Sequence, residues 1–388
     1  MNGVATFRAF GWVPAGIAAN NELLDTSQRP FYLLAITQRW LGFSLQLVVA
    51  LLAIMVVTLS TQLGSRAGLT GASLVTLMTL GDILNYVIRF FTQLETSIGA
   101  ISRLKHFSDE VKPEGSPEED LIPPLEWPNR GFIHIDGVSA SYGESEDDTG
   151  TLAVSNLTLT IRPGERVAIC GRTGSGKSST ILLLLRLLDP LPMCAENITI
   201  DDIPLHKIDR MVLRQRIIAI PQDTVFLPDG TAVKSNLDPF GVSTDGECQD
   251  VLKTVGLWPF VTERGGLYGP FAPETLSQGQ KQLFSLARAI LRRRIRERDS
   301  PESGKGILLL DEVSSGVDLS TDRDMHRIIG EEFQGYTIVM VSHRLETVMD
   351  FDTVVVMDKG CMVEKGEPQL LVGEEGSRFK ELWVASRG

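Results

Sequence analysis

The chain has 388 residues, a formal net charge of −12 and a hydrophobic fraction of 43%. This length suits two or three domains of ordinary size, and an acidic chain without a broad basic stripe argues against nucleic acid as the main partner. The four cysteines include no CxxC pair, and no two of the five histidines have the spacing of metal ligands. The sequence therefore predicts neither a zinc site nor a disulfide framework.

A long uncharged span is the first feature along the chain. No charged residue lies between Arg39 and Arg66, and the centre of this span, residues 47–57, is unbroken aliphatic. A helix needs about 20 apolar residues to cross a bilayer, so the span predicts a membrane helix at about 40–62. A buried helix of a soluble protein is the alternative.

A second apolar stretch, residues 67–91, predicts another membrane helix at about 70–91. It carries Asp82, Asn85 and Arg89 at a spacing that places them on one helical face. Such a polar face should point to a bundle interior or an aqueous cavity, where Arg89 offers a bidentate site for an anionic group. Alternatively, Arg89 lies at the cytosolic end of the helix and snorkels. Both interpretations stay open.

The distribution of basic residues predicts a hairpin with both ends in the cytosol. Basic residues lie on both outer sides of the pair, whereas the short connection holds Arg66 (outer residues Arg8, Arg29, Arg39, Arg103 and Lys105). Residues 1–38 resemble a helical extension of an earlier span, so the chain is expected to be truncated. Residues 108–130, acidic and rich in proline, predict a linker to a soluble domain at 131–388.

Residues 171–178 read GRTGSGKS and fit the phosphate-binding loop pattern G-x-x-x-x-G-K-[ST]. A predicted buried strand, 166–170, precedes the loop and a predicted helix, 178–188, follows it. Glycines at 171, 174 and 176 allow backbone N–H groups to surround a polyphosphate, and the helix N-terminus adds partial positive charge. Lys177 is expected to reach the β- and γ-phosphates and Ser178 to ligate Mg²⁺, which predicts a nucleoside triphosphate site.

Three polar groups follow predicted buried strands. Asp311 and Glu312 end the strand 307–312, where Asp311 is placed to hold the hydration shell of Mg²⁺ and Glu312 to accept a proton from the attacking water. His343 ends the strand 337–343 and is interpreted as a γ-phosphate contact, since ligands gather at this edge of parallel sheets. Taken singly, His343 would be a structural residue.

Further candidates lie around these motifs. Residues 131–141 alternate like an edge strand and are followed by Tyr142, which could stack on an adenine ring. Gln222 follows a predicted strand at 217–221. Residues 276–282 read LSQGQKQ and open a predicted helix, so that Ser277 and Gly279 stand at an anion-binding helix N-terminus.

In this order, GRTGSGKSS, LSQGQ, ILLLDE and VSH resemble the nucleotide-binding domain of ATP-binding-cassette (ABC) transporters. The finer wording resembles the second such domain of the C subfamily, the multidrug-resistance-associated type: NLDP at 236–239, QKQLFSLARAIL at 280–291 and DEVSSGVD at 311–318. RAFGW at 8–12, LDTSQRPFYLL at 24–34 and ETSIGAISRLKHF at 95–107 resemble the last part of that subfamily's second membrane domain.

The resemblance implies a fold class and a set of roles. The expected fold is N-terminal all-α transmembrane helices, a partial membrane domain at 1–107, followed by an α/β P-loop domain. ATP and Mg²⁺ are the implied ligands, with Gln222, Glu312 and His343 as catalytic residues and Ser178, Gln222 and Asp311 at the metal. The nucleotide would contact Tyr142, Gly171, Thr173, Gly174, Ser175, Gly176, Lys177, Ser178, Ser179, Ser277, Gly279, Gln280 and Asp318. Residues 25–32 would form a coupling helix.

Three departures from the family pattern are expected. Gln278 replaces the usual glycine of the signature, and residues 292–305 predict a long charged loop, either solvated or regulatory. The first membrane domain, the first nucleotide-binding domain and about four helices of the second membrane domain are expected to be missing.

The expected function is the ATP-hydrolysing portion of an exporter of amphipathic organic anions or xenobiotics in the plasma or vacuolar membrane, with the nucleotide-binding domain in the cytosol. Its expected partners are the lipid bilayer, a second nucleotide-binding domain, the missing membrane helices and the organic anion, and no nucleic acid is expected. A truncated ATP-binding fragment that moves nothing is the alternative, and a soluble ABC ATPase is disfavoured by the uncharged span.

Overall fold

The computed structural model of the protein describes residues 4–64, 67–111, 113–115, 119–142, 152–300, 305–313 and 316–386. The chain divides into two units, Met1–Pro113 and Glu114–Gly388, and each is described by itself. Arg66, assigned above to the connection between the apolar helices, lies outside the described residues, as do residues 314–315 of the DEVSSGVD motif.

The described residues of the first unit form three helices, α1 (Val4–Ala9), α2 (Val13–Gln62) and α3 (Ala67–Glu110). Both α2 and α3 are long and apolar enough to cross a membrane. Their most apolar stretches are 0% and 6% buried, whereas the core helix of a soluble protein is mostly buried. With 50 residues, α2 is about 75 Å long, so it extends well beyond the predicted span at 40–62. Residues 25–32 lie inside α2, and the expected separate coupling helix is therefore not formed.

Asn85 lies where α2 and α3 contact each other. Its Oδ1 is 2.9 Å from the position that a β-carbon on Gly42 would take, and its Nδ2 donates to Gly81 O at 3.0 Å. Asp82 and Arg89 are exposed in this structure. Of the predicted polar stripe, the structure therefore brings only Asn85 against the neighbouring helix.

Two sheets are formed by the described residues of the second unit. The six-stranded sheet has the order β10-β9-β3-β8-β7-β6 and the four-stranded sheet the order β2-β1-β4-β5. The strands are β1 (Ile133–Ala140), β2 (Val154–Ile161), β3 (Arg166–Gly171), β4 (Ile198–Ile200), β5 (Ile203–Pro204), β6 (Ile218–Ile220), β7 (Ile307–Asp311), β8 (Thr337–Val341), β9 (Thr353–Asp358) and β10 (Cys361–Gly366).

The helices of this unit are α4 (Lys177–Leu184), α5 (Arg210–Arg216), α6 (Val233–Leu237), α7 (Asp245–Thr254), α8 (Trp258–Thr262), α9 (Gln278–Asp299), α10 (Leu319–Glu332), α11 (Leu345–Val348), α12 (Pro368–Gly373) and α13 (Arg378–Ala385). Short 3₁₀ helices occupy Pro192–Asn197, Leu205–Lys207, Gly266–Tyr268 and Pro273–Thr275. This α/β unit after apolar N-terminal helices confirms the predicted fold class.

The strands β6, β7, β8, β3 and β9 run parallel to one another, whereas β10 is antiparallel to β9. Every residue of β8 is buried, and so is every residue of β7 except the last. Both strands are buried because both faces of the sheet are covered. Since parallel strands end at the same edge, the residues that follow β3, β6, β7 and β8 are brought together there. The candidate site lies at this edge of the six-stranded sheet.

The prediction that residues 131–141 form an edge strand is wrong. The strand β1 pairs with β2 on one side and with β4 on the other. Its alternation of buried and less buried residues arises because an antiparallel sheet packs one face on the core, and not because the strand lacks a neighbour.

The prediction of a charged loop at 292–305 is also wrong for most of that stretch, since α9 continues to Asp299. Arginine and glutamate are good helix formers, and the arginines bind backbone and acidic groups along the helix. Arg296 Nη1 donates to Arg216 O at 2.9 Å, and Arg294 Nη2 bonds to Glu332 Oε1 at 2.6 Å. Residues 301–304 lie outside the described residues.

Glu119, in the stretch predicted as a linker, belongs to the second unit and is 9% exposed. Its carboxylate accepts from Arg186 Nη2 at 2.8 Å and from Arg210 Nε at 2.8 Å and Nη2 at 2.9 Å. The side chains of both arginines are nearly buried, at 8% and 11% exposure. The carboxylate therefore balances two cations that have little access to water.

We expect Glu119→Ala to lower the free energy of unfolding by about 1–3 kcal/mol, because it removes the buried one of the two carboxylates that both guanidinium groups share and leaves them with the half-exposed Asp189. Urea unfolding of the full chain, followed by tryptophan fluorescence, measures this. Glu114→Ala is the matched control: Glu114 pairs with Arg214 at an exposed position and should cost less than about 1 kcal/mol. An equal loss of unfolding free energy in the two variants would contradict the interpretation of Glu119 as a buried ion-pair partner.

Candidate functional site

The loop between β3 and α4 has a backbone that requires glycine. Gly171, Gly174 and Gly176 have φ of +151°, +80° and +94°. A β-carbon on Gly171 would lie 2.3 Å from Met357 O, and one on Gly176 would lie 2.5 Å from Ala153 O, while Gly174 has open space around it. Neighbouring backbone therefore excludes side chains at two of the three positions.

Lys177 begins α4 and is buried, at 4% exposure. Its ammonium donates to Gly171 O at 3.1 Å and to Arg172 O at 2.9 Å, so it is turned onto the loop's own carbonyls. Burial lowers the pKa of Lys177 below its usual range, and the nearby charge of Glu312 opposes this. A nearly buried cation whose hydrogen bonds, in the described part of the chain, go to loop carbonyls suits an incoming anion.

Ser175, in the same loop, has a buried hydroxyl without a hydrogen-bond partner among the described residues. Thr173 is exposed in the loop and Ser179 is buried in the first turn of α4. Most buried polar atoms in proteins have a partner, so an orphaned hydroxyl beside Lys177 needs an explanation. A phosphate group with several acceptor oxygens provides one.

A hydroxyl and a carboxylate meet at the start of α4 and the end of β7. Ser178 Oγ donates to Asp311 Oδ1 at 2.9 Å. Burial raises the pKa of Asp311, and the Ser178 hydrogen bond opposes that rise. These oxygens fit Mg²⁺, which is commonly held by one or two protein oxygens together with water and phosphate. Among the described residues no cluster of three His, Cys, Asp or Glu side chains provides a complete metal site.

The Glu312 carboxylate lies between two other predicted site residues. Gln222 Nε2, after β6, donates to Glu312 Oε2 at 3.1 Å, and His343 Nε2, after β8, contacts Glu312 Oε1. Glu312 itself has φ of +46°, and its N–H donates to Val341 O at 3.1 Å. Three strand ends thus bring together the residues predicted to be catalytic, with a carboxylate at their centre.

Tyr142 contacts the start of α4. Its hydroxyl shares a hydrogen bond with Ser179 Oγ at 2.9 Å, and 67% of the residue is exposed. The ring is thus accessible next to the phosphate loop, and its stacking on adenine stays a prediction.

The residues of the LSQGQ motif form a second group. Gln280 N–H donates to Ser277 Oγ at 3.2 Å and Ser277 N–H donates to Gln280 Oε1 at 3.0 Å, which caps α9. Asp318 caps α10 by accepting from Thr321 N–H at 3.1 Å, and bonds from Ser320 and Thr321 lower the pKa of Asp318. In the part of the chain that the structure describes, no hydrogen bond joins Ser277, Gln280 or Asp318 to the phosphate loop.

Gly279 and Gln278 pack against the segment that leads into α10. A β-carbon on Gly279 would lie 3.4 Å from Thr321 Cγ2, and Gln278 Cγ lies 3.5 Å from the position that a β-carbon on Gly316 would take. The glutamine that departs from the family pattern is therefore accommodated beside a glycine, and its side chain remains exposed.

Sequence reasoning missed Arg344 and Asp322. Arg344 Nη1 lies 3.3 Å from Asp322 Oδ2, and Arg344 Nη2 donates to Val317 O. Asp322 is 2% exposed although it lies in the first turn of a helix, where an acidic residue is ordinary for helix-dipole reasons. The one signal available was that Arg344 directly follows His343.

Comparison with known proteins places these features in a family. Residues 154–296 match the family described as ABC transporter. The ABC-type transporter braE of Annulohypoxylon truncatum is 54% identical over 98% of the chain, and the ABC transporter FGM5 of Gibberella zeae is 52% identical over all of it. The chain spans 27% of the length of each of these curated relatives.

A solved structure has the same fold. A bacterial Atm1-family ABC exporter with ATP bound superimposes with a TM-score of 0.78 at 23% identity, covering the whole of this chain and 65% of the other. The matched family segment contains both the phosphate loop and the LSQGQ motif. The chain thus combines apolar N-terminal helices with an ABC transporter ATPase domain, and over nearly its whole length it is similar to curated ABC transporters.

Proposed function

We propose that the chain is the ATP-binding and ATP-hydrolysing portion of an ABC-type exporter. The observation that carries the proposal is the position of Glu312, whose carboxylate is held by Gln222 and His343 at the same sheet edge as the phosphate loop. A carboxylate placed to accept a proton from water accelerates hydrolysis by about 10²–10⁴-fold.

The roles of the phosphate-side residues follow from their geometry. Lys177 and the loop N–H groups bind the phosphates, and the Ser175 hydroxyl gains its missing partner there. Ser178 and Asp311 would hold Mg²⁺, with Gln222 beside them, and the ion would neutralise phosphate charge. His343, which contacts Glu312, would contact the γ-phosphate, and Tyr142 offers its accessible ring to adenine.

The LSQGQ residues are proposed to serve a second nucleotide-binding domain. Ser277, Gly279, Gln280 and Asp318 have no hydrogen bond to the phosphate loop among the described residues, so they form a second half-site on the same unit. A partner domain would offer its own phosphate loop to Ser277 and its own signature to the ATP held by Lys177. Two complete sites then form only on dimerisation.

The partner and the membrane setting are also proposals. We assign residues 1–107 to a partial membrane domain, 108–130 to a linker and 131–388 to the nucleotide-binding domain, which would face the cytosol from the plasma or vacuolar membrane. Relatives that are much longer than this chain support a partner half and further membrane helices elsewhere in such proteins. The motif wording supports the C subfamily, and with it amphipathic organic anions or xenobiotics as cargo.

The decisive experiment measures ATP hydrolysis by the full chain in lipid nanodiscs or detergent, against protein concentration. Activity that rises as the square of concentration and is lost in Glu312→Gln supports a site assembled by dimerisation. ATP binding without turnover at every concentration favours the alternative, a fragment that requires a signature from another protein. Absence of ATP binding would overturn the proposal.

A further inference from the structure

The turn that carries His343 is closed by its two neighbours. Ser342 Oγ accepts from the Arg344 N–H at 3.0 Å and donates to Arg344 O at 3.0 Å, and Ser342 is 2% exposed. The backbone on both sides of His343 is therefore held by one buried side chain. The direction in which His343 points depends on where this turn is anchored.

The anchor is the Arg344 side chain. Its guanidinium bonds to Val317 O with Nη2 and lies 3.3 Å from Asp322 Oδ2 with Nη1. Val317 immediately precedes Asp318, and Asp322 lies in the first turn of α10. One side chain thus joins the His343 turn to both the end of the 316–318 loop and the helix that follows it. A planar guanidinium suits two acceptors at fixed angles, and lysine does not reproduce this geometry.

The surroundings of Asp322 indicate that Arg344 is its principal partner. Asp322 Oδ1 lies 3.5 Å from His326 Nε2, and both atoms are buried without a hydrogen bond among the described residues. Arg166 and Asp350 are the other charged groups near His326, and Arg166 Nη2 is engaged by Asp350 O at 2.6 Å. A nearly buried carboxylate requires a paired cation, so loss of Arg344 would release Asp322 and the loop together.

We propose that Arg344 is a positioning residue: by tying Val317 and Asp322 to the turn that carries His343, it couples the 316–318 loop to the contact between His343 and Glu312. Its catalytic consequence rests on the proposed ATP hydrolysis, whereas the anchoring of the loop does not. Displacement of Asp318 by a partner domain would be transmitted through Arg344 to His343. Each ATP site would in this way sense whether the other half-site is engaged.

The test compares Arg344→Ala, Arg344→Lys and Asp322→Ala with Arg327→Ala. Arg327 is the matched control, an arginine on α10 whose ion pairs with Asp324 and Glu331 are exposed. In the full chain without nucleotide, hydrogen exchange is measured by mass spectrometry in peptides that cover 316–322 and 342–345. We expect faster exchange in both peptides for Arg344→Ala and Asp322→Ala, and wild-type exchange for Arg327→Ala.

ATP binding and turnover supply the second readout. We expect the two anchor variants to bind ATP with wild-type affinity and to show a kcat about 10- to 100-fold lower, with Arg344→Lys in between. Should Arg344→Ala fail to fold, Arg344→Lys is expected to show the same changes at smaller size. Wild-type exchange at 316–322 in the Arg344 variants overturns the proposal, as does a fall in ATP affinity with unchanged kcat. A wild-type chain that binds no ATP refutes the proposed function, while the exchange result still decides the anchoring.

Discussion

Glu312→Gln is expected to bind ATP with wild-type affinity and to hydrolyse it about 10²–10⁴ times more slowly. Glutamine keeps the size of the side chain, so the local packing is retained, and its one oxygen can still accept from Gln222 while its NH2 group faces His343. It is a far weaker base than a carboxylate and does not take a proton from the attacking water. Phosphate release, measured together with ATP affinity on the same preparation, separates the two effects.

Glu331→Gln is the matched control for this variant. Glu331 lies on α10, is paired with Arg327 at the surface and is 61% exposed, so its neutralisation should leave turnover unchanged. Wild-type turnover in Glu312→Gln would show that another group accepts the proton. Loss of ATP affinity in Glu312→Gln would instead show that the carboxylate organises the nucleotide site before any chemistry.

The phosphate loop and the acidic strand end could be predicted because each is a local pattern. The loop needs glycines at fixed positions for its own backbone, and β7 is an unbroken apolar run that ends at Asp311. The placement of His343 at the same sheet edge as Glu312 followed from parallel strands that end at one edge. Such features can be predicted from a few consecutive residues together with the direction of the strands.

Other features depend on contacts between distant parts of the chain. Glu119 meets Arg186 and Arg210 across 67 and 91 residues, and no local pattern in a proline-rich stretch distinguishes a buried carboxylate from a solvated one. Arg344 and Asp322 are 22 residues apart, and each has an ordinary local interpretation. The charged end of α9 was misread because a run of arginines is equally compatible with a solvated loop and with a helix whose arginines bind neighbouring carbonyls.

Gly171→Ala is expected to weaken ATP binding by about 100-fold or more, equivalent to about 3 kcal/mol. Its φ of +151° disfavours any side chain, and the added β-carbon would lie 2.3 Å from Met357 O and 2.7 Å from Ser175 Oγ. The backbone of β9 is fixed in the sheet, so the phosphate loop must move away from it. The movement displaces the carbonyl that Lys177 now contacts and the N–H groups that would surround the phosphates. Binding of a fluorescent ATP analogue to the full chain measures the loss.

Two other glycines separate steric exclusion from backbone strain. Gly174→Ala adds a β-carbon where no atom lies within 4 Å, so only its φ of +80° opposes the change, at about 1–2 kcal/mol. Gly330→Ala, in the interior of α10 and also in open space, should leave ATP binding unchanged and stabilise the helix slightly. The expected order of lost affinity is therefore Gly171, then Gly174, then Gly330. Equal losses at 171 and 174 would mean that backbone conformation alone limits the loop, and that its contact with β9 does not shape the phosphate site.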